Sequence, residues 1–146
     1  MLEWFIHGKK HREKGPAYIN YVNEHALYVT KWFCRGKRHR LNGPAHNETY
    51  INNDNIAIRQ LEKLYLKGKL HRIGNPAYYK FFLRDDVEIL RLEKWYVRGK
   101  LHRKKEPAIV KYNKHNVIIS RIWSVRGLTH HEITWVPDII TDSDLE

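Results

Sequence analysis

The sequence predicts an all-β fold: an elongated single antiparallel sheet, a meander of stacked β-hairpin repeats. Three observations predict it. The stretch WFCRGKRHRLNGPA, Trp32 to Ala45, is written almost again at Trp4 to Ala17, Leu64 to Ala77 and Trp95 to Ala108, and a fifth copy starts at Trp123 and decays after WSVRGLTHHE. The copies begin 28, 32, 31 and 28 residues apart, so one repeated unit fills most of the 146 residues. Each copy also holds a residue-plus-glycine pair between strand-like residues: His7-Gly8, Arg35-Gly36, Lys67-Gly68, Arg98-Gly99 and Arg126-Gly127. That pair signals a two-residue hairpin turn, which needs positive φ that glycine supplies at little steric cost.

Folding the chain about Gly8, Gly36, Gly68 and Gly99 sets Trp4 opposite His11, Trp32 opposite His39 and Trp95 opposite His102, with Leu64 and His71 in the matching places of the third copy. Phe33 then meets Arg38 and Tyr96 meets Leu101 on the other face. The repeated histidine reads first as the cross-strand partner of the repeated aromatic. Pro16, Pro44, Pro76 and Pro107 follow; having no N–H, they should interrupt pairing at a bend or bulge. Extended sequence resumes at each following alanine and runs into a polar turn: Asn23-Glu24-His25, Asn52-Asn53-Asp54-Asn55, Arg84-Asp85-Asp86 and Lys114-His115-Asn116. A returning strand leads from there to the next unit. QLEKLY and RLEKWY have helical propensity, but their common registration before Leu64 and Trp95 assigns them to that strand.

A chain of this length is one domain, and 42% hydrophobic with 12% aromatic residues is enough for an ordered core. Residues 1–136 form the repeat domain, four units with a degenerate fifth as C-terminal cap from Trp123, and Pro137 ends the sheet. Residues 137–146 are an acidic tail with four acids and no base, so the formal charge of +11 becomes +15 over the repeats. A body that basic attracts polyanions. Neither a signal peptide nor a run of 18 apolar residues is seen, and the single cysteine fits a reducing compartment, so an intracellular place is expected. Cys34 stands where other copies have Ile6, Leu66, Val97 and Val125, and reads as a small core residue. The opening strand has nothing in the sequence to cover its edge, which suggests a homodimer through that edge; the alternative is that Lys9 and Lys10 keep it soluble.

The segment GKRHR, with an aromatic four residues before its glycine, resembles the MORN repeat, whose consensus has Gly-Lys-x-His-Gly in a β-hairpin. This sequence departs from it by Arg12, Arg40, Arg72 and Arg103 in place of glycine, by the Pro-Ala bend and by longer units. The His-Arg-x-x-Gly-Pro-Ala variant looks like the MORN-like repeat proteins of large DNA viruses of amoebae, the marseilleviruses among them. The resemblance implies stacked hairpins in one elongated sheet, no enzymatic activity and a scaffold or attachment role.

No cofactor, metal or catalytic residue is expected. His11, His39, His71 and His102 recur once per unit, roughly 9–10 Å apart along a sheet, while zinc holds its nitrogens at about 2.0–2.1 Å. Phosphate-cradling glycine loops, GxSxG and CxxC are missing, and Asp85-Asp86 diverge as adjacent turn residues. The strongest lead is basic: Arg35, Lys37 and Arg38, then Lys67 and Lys69, then Arg98 and Lys100 bracket successive tight turns and should line one edge of the ribbon. Phosphates could follow such a stripe without base recognition; the plainer reading is solvated charge that discourages aggregation. The ladder Trp4, Trp32, Leu64, Trp95, Trp123 reads as packing between repeats, since Leu64 keeps bulk but loses the ring face that base stacking needs. The expected function is a non-catalytic scaffold with a protein partner; the alternative is sequence-independent nucleic-acid binding through the basic edge. A membrane surface ranks third, because no amphipathic helix or lipidation signal supports it.

Overall fold

The computed structural model describes residues 1–22, 26–51, 57–84 and 87–134. The turns at Asn23–His25 and Asn52–Asn55, the Asp85-Asp86 pair, the end of the cap from Trp135, Pro137 and the acidic tail lie outside the described residues. The strands in chain order are β1 (Leu2–Glu3), β2 (Phe5–Ile6), β3 (Lys9–Lys10), β4 (Tyr18–Val22), β5 (Leu27–Lys31), β6 (Phe33–Cys34), β7 (Lys37–Arg38), β8 (His46–Ile51) and β9 (Ala57–Lys63). They continue as β10 (Tyr65–Leu66), β11 (Lys69–Leu70), β12 (Tyr78–Arg84), β13 (Val87–Lys94), β14 (Tyr96–Val97), β15 (Lys100–Leu101), β16 (Ile109–Asn113), β17 (Ile118–Val125) and β18 (Leu128–Thr134).

Ten of these form one antiparallel meander in the order β1-β4-β5-β8-β9-β12-β13-β16-β17-β18. The expected all-β sheet is therefore present, and the first four residues of QLEKLY and of RLEKWY close β9 and β13 as returning strands, Tyr65 and Tyr96 opening β10 and β14. The tight hairpins leave that sheet as four separate ladders, β2-β3, β6-β7, β10-β11 and β14-β15. The break falls at the bend that all four units share, a Pro-Ala pair preceded by Gly15, Gly43, Asn75 or Glu106. Gly15 and Gly43 sit at φ +138° and +108°, where a side chain would be strained, and proline brings no donor. The fifth unit lacks the motif, and there β17 and β18 pair straight into the turn at Val125 and Leu128, with one register shift beside Trp123.

Each tight turn has positive φ at both central residues, as at Arg35 (+50°) and Gly36 (+79°), which fits the twist of a two-residue hairpin. Phe33 pairs Arg38 and Tyr96 pairs Leu101, and the His39 N–H donates to the Trp32 carbonyl at 3.1 Å, as the repeat pattern requires. Successive hairpins then bond to one another. Gly36, Gly68, Gly99 and Gly127 donate their N–H to the carbonyls of Lys10, Arg38, Leu70 and Leu101 in the preceding unit, at 2.8 to 2.9 Å. The hairpins thus stack into a ridge along the sheet.

The fully enclosed core is thin and sits at the bend. Ala17, Ala45, Ala77 and Ala108 have no exposed surface. Each accepts the N–H of the Trp or Leu that opens its own unit (2.8 to 3.0 Å), and Ala45, Ala77 and Ala108 donate to the next returning strand. At the outer edge, β1 covers only Tyr18 and Ile19 of β4. Cys34 is not in the core as the sequence reading had it: it is half-buried on the outer face of its hairpin, beside Lys37, and the equivalent Ile6 and Leu66 are 46% and 36% exposed. Single apolar side chains on a two-stranded ladder have no second layer to pack against.

Candidate functional site

Residues directly paired across strands share a face of the sheet. Following the pairing across eight strands gives one line: Tyr18, Lys31, His46, Lys63, Tyr78, Lys94, Ile109, Ile122. Cations alternate with rings along it until the last two positions, at steps of roughly 4.7–4.9 Å. Lys31, Lys63 and Lys94 are the residues immediately before Trp32, Leu64 and Trp95, so the repeat itself places them.

The hairpins fold toward this face and turn it into a trough. Lys10 of β3 pairs with Glu3 on the sheet, and its ammonium lies 5.3 Å from the Tyr18 ring and 5.9 Å from that of Phe33. Lys31 stands 4.4 Å from the Tyr18 ring; Lys63 and Lys94 flank Tyr78 at 5.6 and 5.1 Å. Arg38 lies over Tyr65 at 5.3 Å and donates Nη1–H to its hydroxyl at 3.2 Å. Further along the same face, Lys80 and Arg59 approach Phe82 at 4.7 and 5.2 Å.

The trough is electrostatically unbalanced. Burial first, then Arg38, Lys10 and Lys63, push the Lys31 ammonium below its ordinary range, with Glu48 pulling the other way. Lys80 is lowered for the same reason, by burial and then chiefly by Arg59. The Glu48 carboxylate is occupied by His46 Nε2 at 2.6 Å. Among the described residues no carboxylate forms an ion pair with Lys31, Lys63, Lys80 or Lys94. The opposite face behaves differently: Arg91 pairs Glu93 at 3.5 Å, Tyr112 donates to the same carboxylate at 3.4 Å, and Gln60 donates to Glu62 at 2.6 Å.

His46 is 5% exposed, and burial holds its ring below the ordinary histidine range despite Glu48. The unfolded ring therefore takes up a proton at higher pH than the folded one, so this group's contribution to stability is lost as pH falls below about 6.5. Urea midpoints measured from pH 7.5 down to 5 should fall toward acid, and His46→Gln should make that decline shallower. An unchanged slope would remove His46 from the acid limb.

The sequence-derived basic stripe lies elsewhere. Arg35, Lys67 and Arg98 occupy the first turn position, exposed and at positive φ. Lys37, Lys69 and Lys100, with Lys9, lay their stems along the glycine of the next turn, 3.4 to 3.8 Å from where a Cβ would stand on it. These residues line the hairpin tips, whereas Arg38 turns into the trough. The repeated histidine does more than oppose the aromatic: Nδ1 of His11, His39, His71 and His102 accepts the N–H of Arg35, Lys67, Arg98 and Arg126 in the following unit, at 3.0 to 3.3 Å. Each latch contributes about 1 kcal/mol and holds a non-glycine residue in a left-handed conformation. The group stacked on the Trp is the arginine. Arg12, Arg40 and Arg103 lie 3.9 to 4.0 Å over Trp4, Trp32 and Trp95. With Arg72 they also donate to the proline carbonyl four residues on, at 3.2 to 3.5 Å.

Open clefts recur on the loop side. One of about 600 Å³ runs from Arg40–Pro44 to His71–Ile73, and one of about 630 Å³ from His11–Glu13 to His39–Asn42. Leu41 and Ile73, at 79% and 81% exposure, stand beside them. Among the described residues no three His, Cys, Asp or Glu converge, and no helix is long and apolar enough to cross a membrane. Comparison of the chain with family models, curated proteins and solved structures returns no match.

Proposed function

We propose that this chain is a non-catalytic repeat scaffold that holds a protein partner across several units at once. The observation that carries the reading is the recurrence, one repeat apart, of the same open cleft with an exposed apolar residue, Leu41 or Ile73, at its rim. Two exposed apolar side chains set among polar ones, one unit apart, give a partner two weak anchors that act together. The resemblance to MORN-like repeats supports the same role, and an attachment or recruitment task in or on a viral particle or infected cell follows from that resemblance alone. A photo-crosslinking residue placed at Leu41 or at Ile73 should capture the same polypeptide in the cells that express the chain. Capture of unrelated proteins from the two positions, or of none, contradicts the scaffold reading.

A further inference from the structure

We infer that the trough is a binding site for single-stranded nucleic acid, held without regard to sequence. This rests on reading the chain as a non-catalytic binding array, and it places the polyanion on the inner sheet face, away from the hairpin tips. Lys31, Lys63 and Lys94 recur on β5, β9 and β13 with one ring-bearing strand between each pair, a spacing of roughly 9–10 Å. They are half-buried beside other cations, with no carboxylate pairing them among the described residues. Solubility does not account for that arrangement. Charge meant only for water belongs where water reaches it, as at Lys37, Lys69 and Lys100, and like charges gathered on a half-buried face oppose folding unless an anion joins them.

The kind of anion follows from what alternates with the lysines. Tyr18 and Tyr78 each lie between two ammonium groups, so a polymer carrying both negative charge and flat rings matches both features of the line. An unpaired nucleic-acid strand is such a polymer: phosphates draw the ammonium groups off the ring faces, and bases stack where they stood. A duplex keeps its base faces buried, and an acidic peptide leaves the tyrosines without a partner. Lysine is a point charge that suits phosphate without fixing its geometry. The site ends at β16 and β17, where Ile109 and Ile122 replace the alternation and Ser124 takes the hairpin place that Phe33 and Tyr96 hold earlier.

The test is fluorescence anisotropy of a labelled oligothymidylate of about 20 nucleotides, at about 150 mM salt. It compares the intact chain with Lys31→Gln/Lys63→Gln/Lys94→Gln and with Lys37→Gln/Lys69→Gln/Lys100→Gln, two variants that lose equal charge. The trough variant should bind at least about tenfold more weakly than the tip variant, with a salt slope reduced by about 2, one phosphate contact per lysine. Tyr18→Leu/Tyr78→Leu, with its charge intact, should also bind several-fold more weakly. Thermal midpoints of all variants check that each is folded. Equal loss in both lysine variants, full binding by the tyrosine variant, or equal displacement by polyglutamate would overturn the inference, the last in favour of an acidic protein segment. No binding by the intact chain would overturn it too, while crosslinking at Leu41 and Ile73 would still report on the scaffold separately.

Discussion

An Ala45→Leu protein is expected to be about 3 kcal/mol less stable than the natural chain, with a thermal midpoint lower by about 10 °C. Ala45 is fully buried where the hairpin leaves the sheet, and its backbone is held from both sides: its carbonyl accepts from Trp32 at 2.8 Å and its N–H donates to Lys63 at 3.0 Å. Larger side chains can be accommodated only by parting the ridge from the sheet, which would break those bonds. Ala45→Gly, which keeps the space and adds chain entropy, should cost only about 1 kcal/mol. Leu41→Ala, at an exposed loop position, should stay within about 0.5 kcal/mol. An Ala45→Leu midpoint equal to the natural one would mean that the bend is not the packed junction described.

Trp95→Ala should cost about 4 kcal/mol in urea unfolding, more than Trp4→Ala. Trp95 is 8% exposed, carries Arg103 at 4.0 Å over its ring, and lies in an interior unit, whereas Trp4 is half-buried in the outermost one. Its removal leaves a cavity under a guanidinium whose remaining partners are Glu106 and the Pro107 carbonyl. The third unit is a natural control, since Leu64 fills the same place with no ring. Trp95→Leu should therefore cost about 1–2 kcal/mol, the part owed to the stacked arginine and lost bulk. Equal losses for Trp95→Ala and Trp4→Ala would place the stabilisation outside the interior packing.

Much of this fold can be read from the chain because its parts are local. Arg35-Gly36 fixes a turn, the turn fixes the pairing of Phe33 with Arg38, and Pro44 fixes where pairing stops. The sense in which each hairpin folds against the sheet depends on a rotation at the bend, and alternation along a strand carries no record of it. Strand alternation alone therefore places Arg38 with the tip residues and Cys34 in the core. The histidine latch was missed for a related reason: its acceptor and donor are 24 to 28 residues apart and meet only after stacking. The trough lysines did leave a signal. Lys31, Lys63 and Lys94 precede the opening residue of the three inner units, where Glu3 and Ile122 stand in the outer two. They join a line of rings only when β4, β8 and β12 supply Tyr18 beside Lys31 and His46 and Tyr78 between the lysines.

Lysine footprinting separates a strand bound in the trough from one bound at the hairpin tips. The folded chain is acetylated with and without saturating single-stranded oligonucleotide, and modification is read residue by residue by mass spectrometry. The trough account predicts that bound strand protects Lys31, Lys63, Lys80 and Lys94 while Lys37, Lys69 and Lys100 react as in the free protein. Protection of the tip lysines with the trough left reactive would contradict it and return the polyanion to the hairpin edge.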